Sequence, residues 1–145
     1  MQVDPYLFFL DGICEEALTH YAGVFGGEIV AMHRYGDMPA DAGHPPMPDE
    51  FKTRVMHARL ETPVITIMGS DGRPGSDAKG GNISLSISTL DPVEGERVFN
   101  ALSEGGKVEM PLADQFWGAR FGQFTDRFGI DWMVNIELAP TAALT

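Results

Sequence analysis

Apolar side chains recur along this chain with two different periods, and the alternation between those periods lays out its elements. The run from Val3 to Leu10 is apolar and aromatic and stops at Asp11-Gly12, a turn dipeptide, which predicts a buried strand. Ile13, Ala17, Tyr21, Val24 and Phe25 then recur at helical spacing up to Gly26-Gly27, where a left-handed cap suits glycine. Glu28 to Arg34 resumes as a strand, Gly36 to Pro48 is a loop without periodicity, and Lys52 to Glu61 and Val64 to Met68 supply two further strands.

The same order returns after the turn-rich segment Ser70 to Gly75. Asn82 to Thr89 alternates, with Ile83, Leu85 and Ile87 against Ser84, Ser86 and Ser88, as a half-buried strand does. Asp91-Pro92-Val93-Glu94 then reads as a helix start, with an acidic cap, proline at the first position and a glutamate placed as in a capping box. Val98, Phe99 and Leu102 form the buried stripe of that helix and Gly105-Gly106 ends it, before strands over Lys107 to Ala113, Ala119 to Thr125 and Trp132 to Leu138. Gly27 and Gly106 lie 79 positions apart, so strand, helix and three strands occur twice. The expected class is α+β: one domain of two βαβββ half-modules, about 1–70 and 78–140.

Composition narrows the partners. The chain has 145 residues, enough for one core but short for two independent ones, and a formal net charge of -11. Its ten Lys and Arg residues are scattered, so nucleic acid is not an expected partner. No apolar run approaches the roughly 18 residues that a membrane span needs, and the start of the sequence lacks the basic and apolar pattern of an export signal. A cytoplasmic protein without membrane contact is expected, and the single cysteine, Cys14, fits that setting. Cys14 stands where the first helix begins and its dipole would favour a thiolate, but no base is spaced beside it, and it is read as packing.

Three stretches carry a family resemblance: Tyr35-Gly36-Asp37-Met38-Pro39, Val55-Met56-His57-Ala58-Arg59-Leu60, and the long segment from Phe116-Trp117-Gly118 to Met133-Val134-Asn135. On these the chain resembles the PhnB-like (3-demethylubiquinone methyltransferase-like) branch of the glyoxalase, bleomycin resistance and dioxygenase, or vicinal oxygen chelate, superfamily. The resemblance implies a curved eight-stranded mixed sheet with helices on one side and a small-molecule ligand on the other, in a homodimer that sometimes exchanges half-modules. The methyltransferase label implies less, because the glycine-rich strand-to-helix turn expected of a methyl-donor site is missing from the sequence.

Strand parity selects the ligand-facing side chains. It turns Ser84 and Ser86 away from the helix layer, and likewise His57 in the set Val55, His57, Arg59 and Glu61. An imidazole there serves as a catalytic base or ligand, or as a hydrogen-bonded part of a polar wall. On the last strand Met133, Asn135 and Glu137 share a face. Trp117, Phe121, Phe124, Phe128 and Trp132 offer an aromatic wall, with Trp117 and Phe124 the chosen ligand contacts, or else core packing. Arg120 and Asp114 would hold a polar ligand group or lie in solvent.

The resemblance also implies where a divalent ion would sit. Metal-dependent members use His or Glu from the first strand of each half and a Glu on the final strand, positions that here offer Tyr6, Phe8, Ser84, Ser86 and Met133. Hydroxyls and a thioether make a poor set for such ions, so no metal is expected there, with His57 and Glu137 as the alternative pair. Three readings follow: a small-molecule-binding protein without the usual metal triad, an isomerase, lyase or group-transfer enzyme using His57, or a protein that sequesters a toxic compound.

Overall fold

Cys14, Ala17, Leu18, Tyr21 and Val24 form one buried stripe of helix α1 (Cys14–Phe25), and this stripe is what the first sheet packs against. The computed structural model describes residues 1–37, 47–75 and 81–138 and divides the chain into two compact units, 1–78 and 79–145. In the first unit, β1 (Tyr6–Phe8), β2 (Glu28–Arg34), β3 (Val55–Glu61) and β4 (Thr66–Ser70) form a mixed sheet in the order β1-β4-β3-β2. In the second, β5 (Leu85–Thr89), α2 (Pro92–Ser103), β6 (Lys107–Asp114), β7 (Ala119–Thr125) and β8 (Asp131–Glu137) repeat the plan, with the order β5-β8-β7-β6. The eight strands are therefore two four-stranded mixed sheets, each with its own helix, and the α+β class read from the sequence holds.

The Gly-Gly stops have a shared physical cause. The first glycine of each pair takes a positive φ, 75° at Gly26 and 78° at Gly105, a conformation that costs a side-chain-bearing residue. The second leaves no room for a side chain: a Cβ on Gly27 would lie 2.3 Å from the Glu61 carbonyl oxygen, and one on Gly106 would lie 2.2 Å from that of Thr125. Each helix thus exits against the end of the third strand of its own unit. Inside α2, Gly95 is fixed by contact, since a Cβ there would meet Ile136 at 2.4 Å.

Two buried carboxylates brace the units. Asp71 accepts the backbone N–H of Cys14 at 2.8 Å and of Val55 at 2.7 Å, tying the start of α1 to β3. Asp126 accepts the N–H groups of Phe128 and Ile130 and the indole N–H of Trp132, at 2.9, 3.0 and 2.8 Å, and shapes the β7–β8 turn. A buried donor without an acceptor would cost about 1–3 kcal/mol.

Several sequence expectations need correction. Strand β1 is three residues long and lies at a sheet edge, and Tyr6 and Phe8 are 38% and 56% exposed, so it is not a buried strand. Only Phe9, just beyond it, enters the core. Strand β5 starts at Leu85, which leaves Ile83 exposed and Ser84 outside the strand. Strict parity fails at the start of β3: the register against β2 slips between His57 and Val55, and Val55 is buried with Ala58 and Leu60. Asp91 caps α2 by accepting from Val93 and Glu94, but the Glu94 carboxylate turns to Arg97 and does not close a capping box. Of the loop expected over 36–48, residues 38–46, including Met38, Asp41 and His44, lie outside the described residues.

Candidate functional site

In the first unit, α1 packs on β2, β3 and β4, with Val55, Ala58, Leu60 and Ile67 in the core. Arg34 marks the helix side of β2, because its guanidinium pairs with Glu15 of α1 at 2.9 Å. The pairing register then sorts the other face. Tyr6 stands beside Met68, Met68 beside Arg59, and Arg59 beside Ala31, while His57 is directly opposite His33.

On this face the Tyr6 hydroxyl lies 3.0 Å from His57 Nδ1. The Tyr6 ring is also 5.6 Å from the imidazole and 5.0 Å from Phe8, so the three rings form one chain of contacts. Burial raises the pKa of the Tyr6 phenol, with smaller contributions from Cys14 and Tyr35, which keeps it a neutral hydroxyl. A hydroxyl engages Nδ1 as donor or acceptor according to the imidazole tautomer, and in both cases Nε2 is the ring nitrogen left to meet a ligand. His57, selected by parity, is thus where the sequence put it, whereas its tether to Tyr6 was missed. The aromatic run of the first strand was the available signal, but no spacing rule relates positions 6 and 57.

The second unit carries different chemistry on the corresponding face. Trp132, Val134 and Ile136 are buried towards α2, while Met133 and Asn135 are half-buried on the other side. Ser86 stands beside Met133 and Ser88 beside Asn135, with Gln123 and Phe121 as their partners on β7. Ser88, Thr89, Leu90, Asn135 and Glu137 line an open depression of about 320 Å³. Ser86 and Asn135 are placed as expected. Ser84 is replaced by Ser88, of the same parity, because the strand begins later than the alternation does.

Of the aromatic candidates, Trp117 lies in the turn between β6 and β7, 46% exposed, with its ring against Phe116 and Phe121. Phe124, expected to contact ligand, is instead 1% exposed and meets Phe99 of α2 edge-on at 5.0 Å, so it belongs to the core. Trp132 is likewise core. Arg120 holds both Asp114 and Glu96, at 2.8 and 2.7 Å, which commits Arg120 and Asp114 to each other and to α2 and leaves neither as a ligand clamp. Cys14 is fully buried, and desolvation, with the Asp71 charge second, pushes its thiol up to about 12. The helix dipole does not win, and Cys14 is packing.

The positions where the superfamily holds a divalent ion do not fit one here. Their register brings a phenol beside a thioether in the first unit, Tyr6 with Met68, and an alcohol beside a thioether in the second, Ser86 with Met133. Neither pair supplies the carboxylate, imidazole or thiolate donors that such ions need. Among the described residues no group of three or more His, Cys, Asp or Glu is gathered in a metal-binding arrangement. Nor is any described helix long and apolar enough to cross a membrane.

A doubled βαβββ plan defines a class, and residues 5–134 match one such family: the chain belongs to the glyoxalase/bleomycin resistance protein/dioxygenase superfamily. Within that family it is 33% identical to the protein YjdN of Escherichia coli over 141 residues, 94% of this chain and 95% of that one. The crystal structure of PA1353 from Pseudomonas aeruginosa is 44% identical, covering 96% of this chain and 99% of that one, with a TM-score of 0.80. A Bacillus cereus PhnB protein, described as a putative 3-demethylubiquinone-9 3-methyltransferase, is 26% identical, covering 96% of this chain and all of that one, with a TM-score of 0.75.

Proposed function

We propose that this chain is a small-molecule-binding protein that takes a ligand on the face of the first unit's sheet turned away from α1, without the superfamily's usual metal triad. The observation that carries this reading is the cluster of Phe8, Tyr6 and His57. It is a half-exposed aromatic surface ending in an imidazole whose Nδ1 is held at 3.0 Å by a phenol. Such a surface suits a ligand with a planar or apolar body and one polar group to meet Nε2. In the second unit, Ser86, Ser88, Asn135 and Met133 supply a more polar surface, with Trp117 near Phe121 at its end.

The methyltransferase description of the Bacillus cereus relative is not carried over. A mixed four-stranded sheet is not the parallel α/β layout on which a glycine-rich methyl-donor turn is built. The tether on His57 favours one further reading, an enzyme in which Tyr6 orients His57 as a proton-transferring group. Sequestration of a toxic compound is binding of the same kind with the ligand left unchanged. The reading includes a homodimer, which the exposed apolar side chains Val108, Met110 and Phe116 on and beside edge strand β6 support. A monomer in light scattering would remove that part.

The test is to denature freshly purified protein and identify what it releases by mass spectrometry. A defined compound that is depleted in Phe8→Ala and Tyr6→Phe supports the reading. No released compound, together with no thermal shift from a broad panel of small molecules, would defeat it, because binding to the native state must raise stability. Incubating the compound with protein separates the alternatives: chemical turnover that is lost in His57→Ala indicates the enzyme, and unchanged compound indicates binding.

A further inference from the structure

The pairing of β2 with β3 sets His33 directly opposite His57. Residues opposite each other on antiparallel strands project to the same face, with Cβ atoms about 4.5–5.5 Å apart. This is the face away from α1, since the preceding pair, Met32 with Ala58, points the other way and Ala58 is buried in the core. The register therefore places the two histidines as cross-strand neighbours on the face away from α1, and His57 already has its Nδ1 occupied by the Tyr6 hydroxyl. Metal-bound histidines are commonly held in this way, with one ring nitrogen hydrogen-bonded to an oxygen behind it and the other on the ion.

We propose that His33 and His57 together bind one borderline transition-metal ion, of the Ni²⁺, Cu²⁺ or Zn²⁺ class, with Tyr6 as the positioning residue behind His57. Its two ligands are not the side chains at the superfamily's metal positions, Tyr6, Phe8, Ser84, Ser86 and Met133, which lack suitable donors. Two neutral imidazoles suit these ions and not Mg²⁺ or Ca²⁺, which require oxygen ligands. With two protein ligands, the remaining coordination positions fall to water or to an external donor, and the chain's net charge of -11 favours cation approach. The inference shares His57 with the binding reading above but does not depend on it.

The experiment is a calorimetric titration of chelator-treated full-length protein with Ni²⁺ alone, repeated with Mg²⁺. One equivalent of Ni²⁺ and no Mg²⁺ is expected. Both His33→Ala and His57→Ala should lose the ion, His20→Ala should keep it, and Tyr6→Phe should weaken its binding roughly 10- to 100-fold, as loss of the hydrogen bond that orients a ligating imidazole does. Circular dichroism of each variant establishes folding, and Cu²⁺ bound to the wild type should show imidazole nitrogen couplings in its electron paramagnetic resonance spectrum. Absence of Ni²⁺ binding to the wild type, or binding that survives the double variant of His33 and His57, would overturn the proposal. Because the titration uses metal alone, its result is independent of whether an organic molecule is found on the same face.

Discussion

The two units of this protein share a frame and differ in the surface they place on it. In the frame, Gly26-Gly27 and Gly105-Gly106 end the helices in the same way, and a buried aspartate, Asp71 or Asp126, collects N–H groups in each unit. On the surface, the first unit carries phenol, phenyl and imidazole rings beside the Met68 thioether, where the second carries hydroxyls and an amide beside that of Met133. The contrast teaches that the backbone devices are what a repeat of this kind must keep, while the face opposite the helix is free to specialise. Function therefore has to be argued from the faces.

The aspartates give the largest expected effect. Asp126→Ala leaves three donors without their acceptor and should cost about 3–5 kcal/mol, and Asp71→Ala, with two, about 2–4 kcal/mol, read from urea unfolding. If either variant were as stable as wild type, the shared frame would not rest on these carboxylates. Next come Gly27→Ala and Gly106→Ala, each of which forces a Cβ into a strand carbonyl and should cost about 1–3 kcal/mol. A large difference between the two would break the equivalence of the helix exits.

Cys14 gives a smaller, pH-dependent effect that is confined to the first unit. Its folded thiol is raised to about 12, so the folded state holds that proton more tightly than the unfolded chain does. The associated stability is complete below the ordinary thiol pKa and is lost as the pH climbs from there towards 12; the raised Tyr6 phenol has the same sign. Urea midpoints measured between pH 8 and pH 11 should fall more steeply in wild type than in Cys14→Ala, and iodoacetamide should label Cys14 only after unfolding. The smallest change in stability, about 1 kcal/mol or less, is expected for Tyr6→Phe, because it removes one half-exposed hydrogen bond. That variant sharpens the comparison, since on the proposed function it should weaken ligand binding on the first face while leaving the frame intact.

Much of this frame was legible in the sequence, because helix stripes, glycine stops and strand alternation are local patterns. Strands β2 and β7 have the bounds read from the sequence, Glu28 to Arg34 and Ala119 to Thr125. The faces were legible only where alternation is unbroken. Met133 and Asn135 fall on the predicted side of β8, whereas the slipped register beside Val55 and the late start of β5 depend on cross-strand pairing, which sequence spacing does not encode. Phe124 illustrates the ambiguity of aromatic residues, which the core and a ligand wall both accept, and here α2 supplies the competing surface in Phe99. The pairing of Tyr6 with His57 and the juxtaposition of His33 with His57 were illegible for the same reason: both are products of register.

The most direct test of the central claim is nuclear magnetic resonance of the protein as the released or screened compound is added. The account predicts that perturbations concentrate at Phe8, Tyr6 and the His57 imidazole, with α1 and its buried stripe unchanged. Perturbations confined to the helix side, or the same perturbations in Phe8→Ala at unchanged affinity, would contradict it.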